Sequence, residues 1–221
     1  MLAADLIHPI VPSLTISEPV GLALKKMEEC ELTTLPVVEG GIFLGFVEDE
    51  ILLEQDHLDI QIAQVELECS TCWVYADQHL YDLLRISNEQ QAKWIAVIDR
   101  TQLFLGVVSV VEARTIYAES YSIQSQGAVL VVSLEMKDFQ LSEIARLIES
   151  ENAKVISCLV HTDPSNPQQV EITLKLDVPD SRHVKATLIR FGYRVHDFGQ
   201  EELGLSTDEE RIGNLLRFLA I

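Results

Sequence analysis

Apolar positions in the first 120 residues run through the same order of periods twice. Val20, Leu24 and Met27 recur at i, i+4 and i+7 through EPVGLALKKMEE (18–29), the spacing of one helix face, with Ser17 placed to cap it. LPVVE (35–39) and IFLGFV (42–47) flank Gly40-Gly41 and predict a hairpin, and EDEILLEQ (48–55) predicts a short helix. The order then returns. Asp77 stands as a cap before QHLYDLLRISNE (78–89), with Leu80, Leu83 and Leu84 apolar. WIAVID (94–99) and LFLGVV (103–108) are strands about an Arg100-Thr101 turn, and SVVEARTIYAE (109–119) is helical. Pro36 aligns with Ala96 at an offset of 60 and Gly45 with Gly106 at 61, so a whole supersecondary unit is duplicated. Two such units can bury their sheets against each other. QDHLDIQIAQVE (55–66) reads as the acidic linker between them.

A different pattern follows the polar junction YSIQSQ (121–126). AVLVVSLE (128–135) is a strand. FQLSEIARLIESEN (139–152) is a helix with Asp138 as its cap, and AKVISCLVHT (153–162) is a strand. DPSNPQQ (163–169) carries loop signals. VEITLKLDV (170–178) alternates like a half-buried strand. Asp180 or Ser181 caps RHVKATLIRF (182–191), Gly192 ends it, and YRVHDF (193–198) is the last strand. The order is βαββαβ, a ferredoxin-like layout. In the tail, Ser206 and Glu209 have capping-box spacing, and Ile212, Leu215, Leu216 and Leu219 form a stripe that must pack on its own chain or on a partner subunit. The segmentation is 1–60 and 61–122 for the repeats, 127–200 for the second domain and 205–221 for a C-terminal helix.

The chain has 221 residues, 48% of them hydrophobic and 23% charged, the composition of folded domains rather than disorder. Its formal charge of -19 is uneven: residues 1–92 hold 17 acidic and 3 basic side chains. Such a surface repels a phosphate backbone, so nucleic acid is not an expected partner. No apolar run reaches the roughly 18 residues of a membrane span, and the N-terminus does not read as a signal peptide, so a cytoplasmic location is expected.

The repeat, with LPVV at 35–38 and GFVED at 45–49, then IAVI at 95–98 and GVVSVVE at 106–112, resembles a CBS domain pair, or Bateman module. Residues 127–200 resemble an ACT-like domain by element order. The fold class is therefore α/β (α+β): a tandem CBS repeat, a ferredoxin-like ACT-like domain and a C-terminal helix. The combination is similar to bacterial CBS domain-containing proteins. The resemblance implies clefts between the repeats for an adenosine-containing ligand such as AMP, ATP or S-adenosylmethionine. It also implies a two-fold homodimer, with four repeats in a disc. In such clefts a Thr or Ser after the glycine-marked strand, and an Asp three residues on, hold phosphate and ribose. Copy one has Glu48 and Ile51 there; Glu48 repels phosphate and Ile51 cannot hold ribose. Copy two has Ser109 and Glu112, a hydroxyl and a carboxylate with two acceptor oxygens. Ala96 and Val97 line this second cleft by resemblance; as bare sequence they are core residues. ACT domains that sense amino acids carry a D-x-P-G-x-L turn. The matching stretch, Met136 to Leu141, has neither Pro nor Gly, so a structural or dimerising role is expected of it.

Other chemistry is thin. Cys69-x-x-Cys72 has no second C-x-x-C, so two isolated thiols are expected beside Cys30 and Cys158. The six histidines lack metal-ligand spacing; His161 and His196, near strand ends, are expected to face solvent. Trp73 and Trp94 have too few basic neighbours to stack nucleic-acid bases. No nucleophile–base pair, phosphate loop or metal constellation is visible, so the chain does not read as an enzyme, and no cofactor or metal is expected. Two readings stand: a regulatory sensor of an adenosine-type ligand, and a ligand-free homodimeric interaction or scaffolding protein.

Overall fold

The computed structural model describes residues 1–163 and 165–197, which divide into two compact units, the first ending at Glu119 and the second beginning at Ser120. In the first, α1 (Val20–Cys30) precedes a hairpin of β1 (Thr34–Glu39) and β2 (Ile42–Glu48), and α2 (Asp49–Leu53) follows. The second copy has β3 (Trp73–Tyr75), α3 (Leu80–Glu89), β4 (Trp94–Ile98), β5 (Phe104–Ser109) and α4 (Val110–Ala118). β3 pairs parallel to β4, Val74 opposite Val97. One repeat earlier, Leu14 bridges Val37 in the same parallel sense, so the duplication extends to this strand. Leu14, Val20, Leu35 and Leu52 are among the buried residues of the first repeat's core; Leu80, Leu83, Ile95 and Val108 hold the second's. The hairpins meet where Phe104 N–H donates to the Gly41 carbonyl, 2.8 Å.

Each repeat is completed by a segment that precedes the other. The linker crosses β2, where Phe46 and Glu68 exchange two backbone bonds of 2.8 Å. The N-terminal segment crosses β5, where His8 N–H donates to the Val107 carbonyl, 2.8 Å. These crossings explain the paired glycines. A Cβ on Gly45 would lie 2.8 Å from the Glu68 carbonyl oxygen, and one on Gly106 would lie 2.5 Å from Ile7 Cγ2. The crossings also cap the helices. The first N–H groups of α1 donate to the carbonyls of Ile60 and Leu58, and Leu80 N–H of α3 donates to Met1, so Ser17 and Asp77 are not caps. Ser17 instead bonds Thr15, Asp77 pairs with Arg100 at 2.9 Å, and His79 Nδ1 caps α3 through Tyr81 N–H.

The β4–β5 turn is closed by Asp99, whose Oδ1 accepts from Thr101 N–H and hydroxyl (both 2.7 Å) and from Leu103 N–H (2.9 Å). The Thr101 hydroxyl, with the backbone donors, holds this carboxyl below the ordinary aspartate range. A folded-state pKa below the unfolded one adds stability above the ordinary carboxylate range, and that stability is lost as pH falls through the lowered value. A carbon-13 titration will place the Asp99 midpoint below that of an unstructured aspartate; a midpoint at or above it overturns this assignment.

The second unit opens with a helical turn, α5 (Tyr121–Gln124), within the stretch read as a polar junction. Then come β6 (Val129–Glu135), α6 (Leu141–Ser150), β7 (Val155–Asp163), β8 (Asn166–Leu176), α7 (Arg182–Arg190) and β9 (Arg194–Asp197). The sheet order is β7-β8-β6-β9, and β6 pairs antiparallel with both its neighbours. Leu130, Val132, Ile172 and Leu174 turn to one face and are buried with Ile144, Ile148, Val184 and Leu188 of the two helices. The loop expected over 163–169 is largely strand: β7 and β8 extend as a hairpin, with Asp163 opposite Asn166. Asp138 is not a cap either, since α6 starts after Gln140 without a side-chain cap. Ser181 does hold the N-cap position of α7, but its hydroxyl donates to Asp197, 2.7 Å. His161 and His196 lie on opposite edge strands, beside Glu171 and Val131, and do not meet.

Cys69 and Cys72 are not isolated thiols: their sulfurs are joined, with the Cα atoms 5.2 Å apart. Among the described residues no helix is long and apolar enough to cross a membrane. The helix expected over 205–221, and with it the surface that its apolar stripe packs on, lies outside the described residues.

Candidate functional site

The second repeat brings Ser109, Glu112, Trp94 and His8 together. Ser109 ends β5 opposite Trp94 on β4 and is the N-cap of the nine-residue α4. Its Oγ accepts the Glu112 N–H at 3.3 Å, which fixes the hydroxyl over the first turn of the helix. Glu112 lies within that turn, its side chain 54% exposed, with Oε1 3.5 Å from His8 Nε2. The His8 ring sits edge-on to Trp94, centroids 6.0 Å apart. His8 was missed in the sequence because it lies far from the repeat's motif. Its signal was the repeat itself, since His8 occupies in copy two the place that Glu68 takes in copy one.

Ala96 and Val97 are also in this repeat but have no exposed surface. Their side chains belong to the buried core of the second repeat.

The corresponding place in copy one is built differently. Thr34 and Glu48 are cross-strand partners, as Trp94 and Ser109 are. Glu48 precedes the five-residue α2, and its carboxylate accepts two bonds from Lys93 Nζ, 2.9 and 3.2 Å. Glu48 in turn raises the Lys93 pKa, first through that hydrogen bond and then through its charge. Ile51 packs at the edge of the first core. A cavity of about 80 Å³ lies here between the repeats, lined by Thr34, Phe46, Glu48, Cys69, Lys93 and Trp94 among others. The Thr34 hydroxyl is buried without a hydrogen-bond partner among the described residues. Among the described residues, no three of His, Cys, Asp and Glu are grouped to hold a metal ion.

No protein-family model matches the sequence, and no curated protein sequence matches it. Solved structures do. A CBS domain pair/ACT domain protein from Thermotoga maritima is 24% identical over 54% of this chain and 100% of that one, with a TM-score of 0.48. The CBS domains of a transcriptional regulator from Streptococcus pneumoniae are 16% identical over 52% and 98%, TM-score 0.48. CBSX2, solved in complex with AMP, is 18% identical over 53% and 96%, TM-score 0.45. The likeness extends over about half of this chain, and each of these three structures is matched along nearly its whole length or all of it.

Proposed function

We propose that this chain is a non-catalytic regulatory protein whose first unit is a CBS domain pair and whose second is a ferredoxin-like, ACT-like domain. The cleft of the second repeat takes an adenosine-containing ligand. The observation that carries this reading is Ser109 at the N-cap of α4 with Glu112 in the first turn of the same helix. A helix N-terminus and a hydroxyl suit a phosphate, and a carboxylate with two acceptor oxygens suits the paired hydroxyls of a ribose. A ligand that recruits Glu112 would release His8 from it. Ser109 Oγ accepts from a backbone N–H, the geometry of a cap rather than of a nucleophile held by a base.

Titration calorimetry tests the reading with AMP, ATP and S-adenosylmethionine as probes. One ligand should bind once per chain. Glu112→Ala should weaken it at least about tenfold, the loss of roughly 1.5–3 kcal/mol typical of a hydrogen bond to a charged group. Ser109→Ala should weaken it less, by about threefold to tenfold. Affinity unchanged from that of the parent protein in both variants overturns the assignment. Absence of heat with all three ligands carries the second reading, a ligand-free homodimeric interaction or scaffolding protein. That reading is favoured by the partners Glu48 and Glu112 already have in Lys93 and His8.

A further inference from the structure

Cys69 and Cys72 stand in the turn that carries the linker off β2 and into β3. Cys69 is in the left-handed region at φ 56, and Cys72 N–H donates to its carbonyl at 2.9 Å. This turn holds the Cα atoms 5.2 Å apart, within the range a disulfide spans. The two sulfurs have different surroundings. Cys72 has no exposed surface, belongs to the core of the second repeat, and its carbonyl accepts Ala96 N–H from β4 at 2.8 Å. Cys69 is half-buried and lines the cavity between the repeats, beside Thr34, Glu48, Lys93 and Trp94.

We propose that Cys69 and Cys72 form a reversible thiol–disulfide exchange site, open to small thiols through the sulfur of Cys69 and set in the wall of the inter-repeat cavity. The difference in exposure fixes the direction of the chemistry, because exchange requires access to the attacked sulfur. A small thiolate attacks Cys69 Sγ, and a new sulfur–sulfur bond forms as the Cys69–Cys72 bond breaks. Cys72 leaves as a thiolate and takes a proton from water. A second small thiol then attacks the mixed disulfide, freeing Cys69 as a thiol and leaving the two small thiols joined to each other. One protein disulfide is reduced to two thiols, and two small thiols are oxidised to one disulfide. Run backwards, the small disulfide is the oxidant.

The site needs no bound nucleotide and stands apart from the ligand reading. Its consequence is local: breaking the bond releases the left-handed turn at Cys69 and changes one wall of a cavity that Trp94 also lines.

The test equilibrates the full chain in buffers from fully reduced to fully oxidised glutathione, traps it with acid and maleimide, and reads the 69–72 peptide by mass spectrometry. One two-electron transition should appear for Cys69 and Cys72 together, accompanied by a change in tryptophan emission. Cys30 and Cys158 should be labelled throughout. In oxidised glutathione, Cys72→Ser should collect the glutathionyl adduct on Cys69 at least tenfold more than Cys69→Ser collects it on Cys72. Three results overturn the proposal: both thiols labelled even in fully oxidised buffer, a disulfide that survives fully reduced buffer in the native protein, or equal adducts in the two variants. The wild-type transition decides the matter even if one variant fails to fold.

Discussion

Replacing Ile95 with alanine will lower the stability of the first unit by about 2–5 kcal/mol. Ile95 lies on β4 opposite Val108, has no exposed surface and packs in the core of the second repeat. The truncation removes buried methyl and methylene groups and leaves a cavity that a close-packed core closes only in part. The readout is clean because the chain's two tryptophans, Trp73 and Trp94, both belong to the first unit. Urea unfolding followed by their fluorescence should show a lower midpoint with an unchanged slope. Val111, 69% exposed on α4, is the control: Val111→Ala should stay within about 0.5 kcal/mol of the parent. If Ile95→Ala also stays there, β4 is not packed as described.

Gly45→Val will cost about 3 kcal/mol, and for a different reason. At Gly45 the linker backbone passes so close that a Cβ would stand 2.8 Å from the Glu68 carbonyl oxygen. Either the strand or the linker must shift, and the two Phe46–Glu68 backbone bonds go with it. Gly40→Ala gives the contrast. An added Cβ there meets nothing within 4 Å, but φ is +57, so its cost is the backbone penalty of about 1–2 kcal/mol. The same fluorescence assay separates them. Equal costs would mean that the linker does not run against β2.

The duplication was legible because both the glycines and the apolar faces keep their spacing. Gly45 and Gly106, like Thr34 and Trp94, occupy matching places in space as well as in sequence. The second unit's element order was legible from the apolar run of β6, the alternation of β8 and the helical stripe of Ile144 and Ile148. Local signals failed where remote backbone supplied the partner. Ser17 and Asp77 have the right chemistry for caps, but carbonyls from Ile60, Leu58 and Met1 already meet those helix ends. The candidate site was half legible. Ser109 and Glu112 follow from the motif, whereas His8 arrives through a strand crossing that no local pattern announces. The Cys69–Cys72 pairing depends on a left-handed residue that is not glycine, a conformation residue type does not signal.

The two crossings have one more meaning. Advance Phe46 and Glu68 of the first crossing by one repeat and one arrives at the positions of the second: Phe46 moves onto Val107, and Glu68 corresponds to His8. Each half thus lends the other the segment it lacks, and the bond from Glu68 N–H to the Phe46 carbonyl recurs as the bond from His8 N–H to the Val107 carbonyl. Two separate copies of a single repeat, related by a two-fold axis, would exchange these segments in the same way. In those terms the first unit is a domain-swapped dimer whose two subunits share one polypeptide, and its acidic linker is the hinge loop.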